Sequence, residues 1–248
     1  MRVAAIYDIH GNLPALEAVL QEIRQAEVDH VVVGGDVTPG PMPVEILARL
    51  SQLEVPVRCI RGNGEVAVLA QRAGTDPGYH LPEQAREAVR WSAQQLDPEH
   101  ERLLAGWPET HRLQIGELGE VLFCHATPRN ENEIFTRLTP AERLLPVFEG
   151  VEASVVVCGH THMQFDRAIG GIRVVNAGSV GMPFGEPGAY WLLLGPDVQL
   201  RHTPYDLTVA AERIRDTDYP QASEFADGIL QPQSESAMLE LFAQAELK

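Results

Sequence analysis

Short apolar runs alternate with helical stripes along the opening of this chain. Residues 3–7 form a compact apolar run that reads as a buried strand, and residues 14–26 carry Leu16, Val19, Leu20 and Ile23 at helical spacing. A second apolar strand is predicted at 31–33, a helix at about 44–53 and a third strand at 57–60. This βαβαβ order predicts parallel strands joined by right-handed crossovers. After Asn63 the rhythm changes. Residues 65–113 read as helices broken by Pro and Gly, the clearest at 82–96 with Ala85, Ala88, Val89 and Trp91 on one side. A second helix, 98–105, starts behind the cap-like pair Asp97-Pro98.

Strand character returns at 121–124 and 155–158. Four closely spaced strands are then predicted at 163–169, 172–175, 190–194 and 198–202. Gly170-Gly171 and Gly195-Pro196-Asp197 between them are turn signals, so antiparallel hairpins are expected. From about 206 the chain reads as two or three short helices broken at Pro220 and Pro232. We therefore expect one α/β domain over 1–248, with a helical insertion at 65–113 and a helical tail at 206–248. Its sheets are mixed, parallel in the first part and antiparallel in the second, and two such halves packed face to face make an α/β/β/α sandwich.

Composition narrows the function classes. The chain has 248 residues, 44% hydrophobic and 22% charged, with a net charge of −16. That balance is globular, and the acidity disfavours duplex nucleic acid and anionic membranes as partners. A small phosphorylated substrate remains compatible, because bound cations reverse the local field. The three cysteines, Cys59, Cys124 and Cys158, lie inside apolar runs, and their odd count argues against a disulfide framework. The N-terminus runs directly into a strand without a signal-peptide pattern, and no apolar stretch has the length of a membrane span. A reducing cytoplasm is the expected location.

Polar residues with ligand chemistry stand just after the apolar runs. They are Asp8-Ile9-His10-Gly11-Asn12, Gly34-Gly35-Asp36, Arg61-Gly62-Asn63, His125, and Gly159-His160-Thr161-His162. Sites in open α/β sheets form outside the carboxyl ends of strands, so five strand ends deliver candidate ligands to one edge. Imidazole and carboxylate together suit divalent Mn, Fe, Zn, Co or Ni, and the buried positions of the cysteines disfavour a thiolate site. Asp-x-His and His-x-His put both side chains of an extended segment on one face. Each fragment alone is common in ordinary turns and loops; the ordered set is not.

The order Asp-x-His, Gly-Asp, Gly-Asn, His, Gly-His-x-His resembles the calcineurin-like metallophosphoesterase superfamily, most nearly its small bacterial and archaeal phosphodiesterase branch. Asn176-Ala177-Gly178-Ser179-Val180-Gly181 is similar to that branch's Asn-Pro-Gly-Ser-Val-Gly segment. The resemblance implies a metallophosphoesterase sandwich and two divalent cations, Mn first among them. By the same resemblance Asp8, His10 and His162 hold one metal, Asn63, His125 and His160 the other, and Asp36 bridges. Asp36, Asn63 and His125 are thereby expected at the catalytic centre. A metal-bridging hydroxide is then the expected nucleophile for phosphodiester or phosphoanhydride bonds of small nucleotide-like substrates.

One departure from the pattern bears on substrate choice. Many superfamily members carry His directly after Gly-Asn, whereas this chain has Gly62-Asn63-Gly64-Glu65. A preference for good leaving groups follows, unless His80 or His111 in the insertion substitutes. Arg129 is a candidate phosphate contact. Asn12 is a candidate substrate contact or a helix cap. Ser179 is either near the site or in a plain turn, and Phe184 and Tyr79 either stack on a base or pack. The insertion sets substrate size or forms a homo-oligomer contact. Close alternatives are a dinucleoside polyphosphate hydrolase and a protein serine/threonine phosphatase, the latter disfavoured by the missing histidine. A different class is a non-catalytic scaffold of the same fold, as in a retromer subunit of eukaryotes, for which loss of metal ligands is expected.

Overall fold

The computed structural model describes residues 1–247. In chain order its elements are β1 (Val3–Ile6), α1 (Leu13–Gln25), β2 (His30–Val33), α2 (Pro43–Ser51), β3 (Val57–Cys59), α3 (Asn63–Ala73), α4 (Glu83–Gln95) and α5 (Pro98–Ala105). There follow β4 (Thr110–Gln114), β5 (Glu120–Cys124), α6 (Ala141–Phe148), β6 (Val155–Cys158), β7 (Phe165–Ile169) and β8 (Ile172–Asn176). Then come β9 (Ala189–Leu194), β10 (Val198–Thr203), α7 (Leu207–Arg215), α8 (Ala222–Leu230) and α9 (Glu235–Ala243).

Two five-stranded sheets form, in the orders β10-β9-β1-β2-β3 and β4-β5-β6-β8-β7. Strands β1, β2 and β3 are parallel, with Ala4 opposite Val31 and Val32 opposite Arg58. Strands β5, β6 and β8 are also parallel, with Val121 opposite Val155 and Val156 opposite Val174. Side-chain alternation sorts the apolar residues into layers. Val3, Ala5, Tyr7, Val32, Phe123, Val157 and Leu192 fill the space between the sheets. Ala4, Ile6, Val31 and Val33 face outward onto Leu16, Val19, Leu20 and Ile46 of the helices. On the far side Leu122, Val156 and Val174 meet Leu144, Val147 and Phe148. The result is the expected α/β/β/α sandwich with mixed sheets.

The structure departs from the sequence reading in three places. The division into a parallel first part and an antiparallel second part does not hold: the hairpin β9–β10 returns to the first sheet, where β9 runs antiparallel to β1, and β8 pairs in parallel with β6. Turn signals report a reversal of direction and not which sheet the strand joins. Residues 110–114, read as part of the helical stretch, form an edge strand antiparallel to β5. Its sequence, THRLQ, is half exposed, and the polar positions of an edge strand erase the apolar signal. Helix α6 was not anticipated, because Pro146 lies inside it and masks a strong apolar stripe.

Candidate metal centre

The loops after β1, β2, β3, β5 and β6 open at one edge of the sandwich, and the seven expected ligands meet there. Asp8, His10 and His162 offer ligand atoms within 4.8 Å of one another, and so do Asp36, His125 and His160. The two groups adjoin. His125 Nε2 lies 3.4 Å from Asp36 Oδ1 and 3.8 Å from Asp8 Oδ1, while His10 Nε2 lies 3.6 Å from Asp36 Oδ2. Asn63 Oδ1 stands 3.0 Å from His125 Nε2. His10 Nε2 and His162 Nε2 are 3.2 Å apart.

Backbone geometry explains how strand ends aim these groups inward. Asp8, His10, Asp36, His160 and His162 have positive φ, between 45° and 65°. Such conformations cost side-chain-bearing residues roughly 1–2 kcal/mol each, and Asp and His tolerate them better than most. Strain of this kind persists only where surrounding contacts over-determine it. Here they do: His160 N–H donates to Asp8 Oδ2 at 2.9 Å, Gly64 N–H donates to Asp36 Oδ1 at 2.7 Å, and Ser179 Oγ donates to Asp8 O at 2.7 Å. Asn176 Nδ2 donates to Gly159 O at 2.6 Å and holds the start of the His160 loop. Small residues leave room for these contacts. A Cβ on Gly62 would overlap Asp36 Oδ1 and stand 2.8 Å from His125 Nδ1.

Three rings are oriented alike from behind. The Nδ1 atoms of His10, His125 and His162 face the carbonyl oxygens of Pro39, Gly34 and Met182 at 3.3, 2.8 and 2.7 Å. Donation there fixes the tautomer and turns each Nε2 toward the cluster. Those Nε2 atoms then face carboxylate, amide and imidazole acceptors, an arrangement that needs protons or a cation between them. Asp8 Oδ1 and His160 Nε2 are buried with no hydrogen-bond partner. This donor set of nitrogens and oxygens, with orphaned buried atoms aimed inward, fits borderline divalent cations.

Charge within the cluster divides the histidines. Burial works against protonating His125, but Asp36, Asp8 and the Gly34 carbonyl outweigh it and hold its pKa above the usual value. His162 is likewise raised, burial being outweighed by Asp8 and the Met182 carbonyl. Burial lowers His10, and burial beside His125 brings His160 down to about 4. Although burial alone would raise Asp8, the imidazoles of His162, His125 and His10 hold its carboxyl well below the ordinary range.

Glu65 was missed as a functional residue. Its fully buried carboxylate accepts from the N–H groups of Asp36 and Gly62 at 2.8 and 2.7 Å, and from Val37 and Thr38 at 2.8 and 3.1 Å. It thereby ties the Asp36 loop to the start of α3. The signal was available: a Glu three residues after Gly62 at a helix start is half of a capping box. Burial and Asp36 push its pKa up to about 7 against the pull of those N–H groups. Glu65→Ala strands four buried donors and should lower stability by roughly 3–4 kcal/mol in chemical denaturation. A loss under about 1 kcal/mol would remove this bracing role.

The remaining expected residues fall elsewhere. Asn12 is wholly buried; its Oδ1 caps α1 by accepting from Ala15 N–H, and its Nδ2 donates to Gly181 O and Tyr205 Oη. The structure supports the cap, and no group of Asn12 is left for a substrate. Arg129 is forked onto Glu133 through Nε and Nη2, and it borders a shallow depression with Thr110, Arg112 and Val147. Its guanidinium is engaged there and not with the cluster. Ser179 ties Asp8 to Met182 N–H, a role beyond a plain turn. The Tyr79 hydroxyl donates to the backbone carbonyl of Asn63, so packing beside the site is its observed role.

A family model for the calcineurin-like phosphoesterase superfamily domain matches residues 1–195. The chain belongs to that superfamily and is a hydrolase acting on ester bonds. Phosphodiesterase YfcE of Escherichia coli K12 is 29% identical over 203 residues, covering 78% of this chain and 87% of its own. A metallophosphoesterase from Sphaerobacter thermophilus has a similar structure, with TM-score 0.70, 25% identity, and coverage of 93% of this chain and 99% of its own. The hypothetical protein PH1004 of Pyrococcus horikoshii shares the fold at TM-score 0.79 and 22% identity, over 94% and 99% of the two chains. Among the described residues no helix is long and apolar enough to cross a membrane.

Proposed function

We propose that this chain is a dinuclear-metal phosphodiesterase acting on small nucleotide-like phosphodiesters or phosphoanhydrides. The carrying observation is the pair of adjoining ligand groups, each holding a buried atom without a hydrogen-bond partner, Asp8 Oδ1 in one and His160 Nε2 in the other. Asp8, His10 and His162 would hold one cation, Asn63, His125 and His160 the other, and Asp36 would touch both. Manganese is the first candidate, with Fe, Zn, Co and Ni compatible with the same donors. A bound pair supplies an activated water and neutralises charge on the phosphoryl oxygens. The protein's own part is to fix the ligands: backbone carbonyls set the histidine tautomers, and Glu65 and Ser179 hold the Asp36 and Asp8 loops. The phosphodiesterase named in the Escherichia coli relative supports the substrate class.

The test is metal analysis combined with hydrolysis of bis-p-nitrophenyl phosphate by Mn-loaded protein. About two metals per chain with hydrolysis is the expected result. Absence of both counts against the proposal.

Metal uptake should also release protons. His125 and His162 have raised pKa values and belong to different ligand groups, whereas His10 and His160 are lowered. A cation that takes a raised imidazole in each group as ligand must compete with a proton there, so binding should release protons. Affinity consequently rises with pH until both rings are neutral in the metal-free protein. Calorimetry of Mn2+ binding in two buffers of different ionisation enthalpy reads this directly. Identical heats in both buffers would contradict it.

A further inference from the structure

Residues beyond 195 lie outside the part matched by the superfamily model, yet through Phe184 they back one of the candidate ligands. The ring of His162 is fixed from two directions. Its Nδ1 faces the Met182 carbonyl at 2.7 Å, and its plane stacks on Phe184, with centroids 5.4 Å apart and planes 19° from parallel. Phe184 is backed in turn by Phe242 of α9, at 6.1 Å between centroids. Both phenylalanines pack on a small buried group of Met163, Met238 and Leu239.

The same tail is anchored on both sides of this stack. Gly185 N–H donates to Gln233 O at 2.8 Å, so the loop carrying Met182 and Phe184 is tied to the chain entering α9. Arg137 pairs with Glu235 at 2.5 Å. Near the end of the chain Glu246 accepts from Thr139 Oγ1 at 2.5 Å and Arg143 Nη1 at 2.8 Å. The tail thus spans from the 182–185 loop to the first turn of α6. Among the described residues the cluster's other imidazoles make ring contacts only with imidazoles: His125 with His160, and His10 with His162.

We propose that Phe184, braced by Phe242, is a positioning residue for His162, which makes the C-terminal helix part of the metal-holding machinery. The inference rests on the proposed ligand role of His162. His162 stands on a loop after a strand, at a positive φ of 60°. The hydrogen bond to Met182 fixes its rotation, and the phenyl face fixes its tilt. Partners of this outer kind typically change metal affinity about 10–100-fold when removed.

The dependence is one-sided, and that separates positioning from general destabilisation. Phe184→Ala and Phe242→Ala should weaken the cation held by Asp8, His10 and His162 roughly 10–100-fold and leave the other cation's affinity unchanged. The readout is calorimetric titration of the full chain with Mn2+, together with metal content at limiting free Mn2+, which should fall from about two toward one per chain. Phe184→Tyr keeps the flat face and should restore both sites. Phe184→Leu keeps apolar volume without a flat face; it should behave like Phe184→Ala and serves where the alanine variant does not fold. Unchanged affinities, or equal weakening of both cations, would overturn the inference. Failure of the underlying metal assignment looks different, because the unsubstituted chain would then take up no Mn2+ at all.

Discussion

Asp36→Asn should lower kcat/KM for bis-p-nitrophenyl phosphate by roughly 10³-fold, about 4 kcal/mol of transition-state stabilisation, while the metal-free protein keeps its melting temperature. The two halves of this expectation have separate causes. Asp36 places one oxygen 3.4 Å from His125 Nε2 and the other 3.6 Å from His10 Nε2, so its carboxylate is shared by both ligand groups. An amide at that position has one oxygen and one NH2 group, and cannot give a negatively charged donor to two cations at once. The fold tolerates the exchange. Asn can still accept from the Gly64 N–H, as Asp36 Oδ1 does at 2.7 Å, and Asn adopts the positive φ of 50° readily. Full activity in Asp36→Asn would remove the bridging role. A collapse of metal-free stability would instead show that Asp36 is chiefly structural.

The site was legible because metal chemistry leaves residue types that little else requires. An acid, histidine or asparagine after each of five apolar runs is visible in one dimension, since strand ends are where open sheets present their ligands. The supports were harder to read. Glu65 reads at most as half of a capping box at a helix start, and its burial against four backbone donors shows that it also braces the Asp36 loop. Phe184 and Tyr79 are aromatic residues in loops, and nothing local tells a base-stacking ring from one packed on a ligand. The left-handed backbone of Asp8, His10 and His162 is likewise silent, because neither Asp nor His demands it. For the fold, apolar runs marked the central strands, whereas β4 escaped because its polar edge positions carry no apolar signal, and α6 because Pro146 lies inside it.

Aryl phosphodiesters should be cleaved about 10²–10⁴-fold faster than alkyl phosphomonoesters, because the position after Asn63 carries no histidine to protonate a poor leaving group. Gly64 stands where many superfamily members carry histidine. The structure shows that the position has no room for one: a Cβ there would overlap the Thr38 carbonyl oxygen, and would stand 2.9 Å from Asp36 Oδ1 and 3.0 Å from Pro39 Cδ. Neither histidine of the insertion belongs to the two ligand groups. His80 lines a cleft with Gln71 and Arg86. His111 lies on β4 opposite Phe123, where burial, Arg58 and His30 lower its pKa. Tyr79 is nearer, but its hydroxyl already donates to Asn63 O, and burial with the nearby carboxylates of Asp36, Glu131 and Glu65 pushes its pKa up, making it a weak acid. On the proposed function the departing oxygen would then leave largely as an anion. A series of esters with graded leaving groups should accordingly show log kcat/KM falling steeply as leaving-group pKa rises. A flat dependence would point to a proton donor in the site. Gly64→His should not rescue alkyl substrates, since the added side chain displaces the Asp36 loop and lowers metal content; a gain in alkyl monoester hydrolysis with metal retained would refute that account.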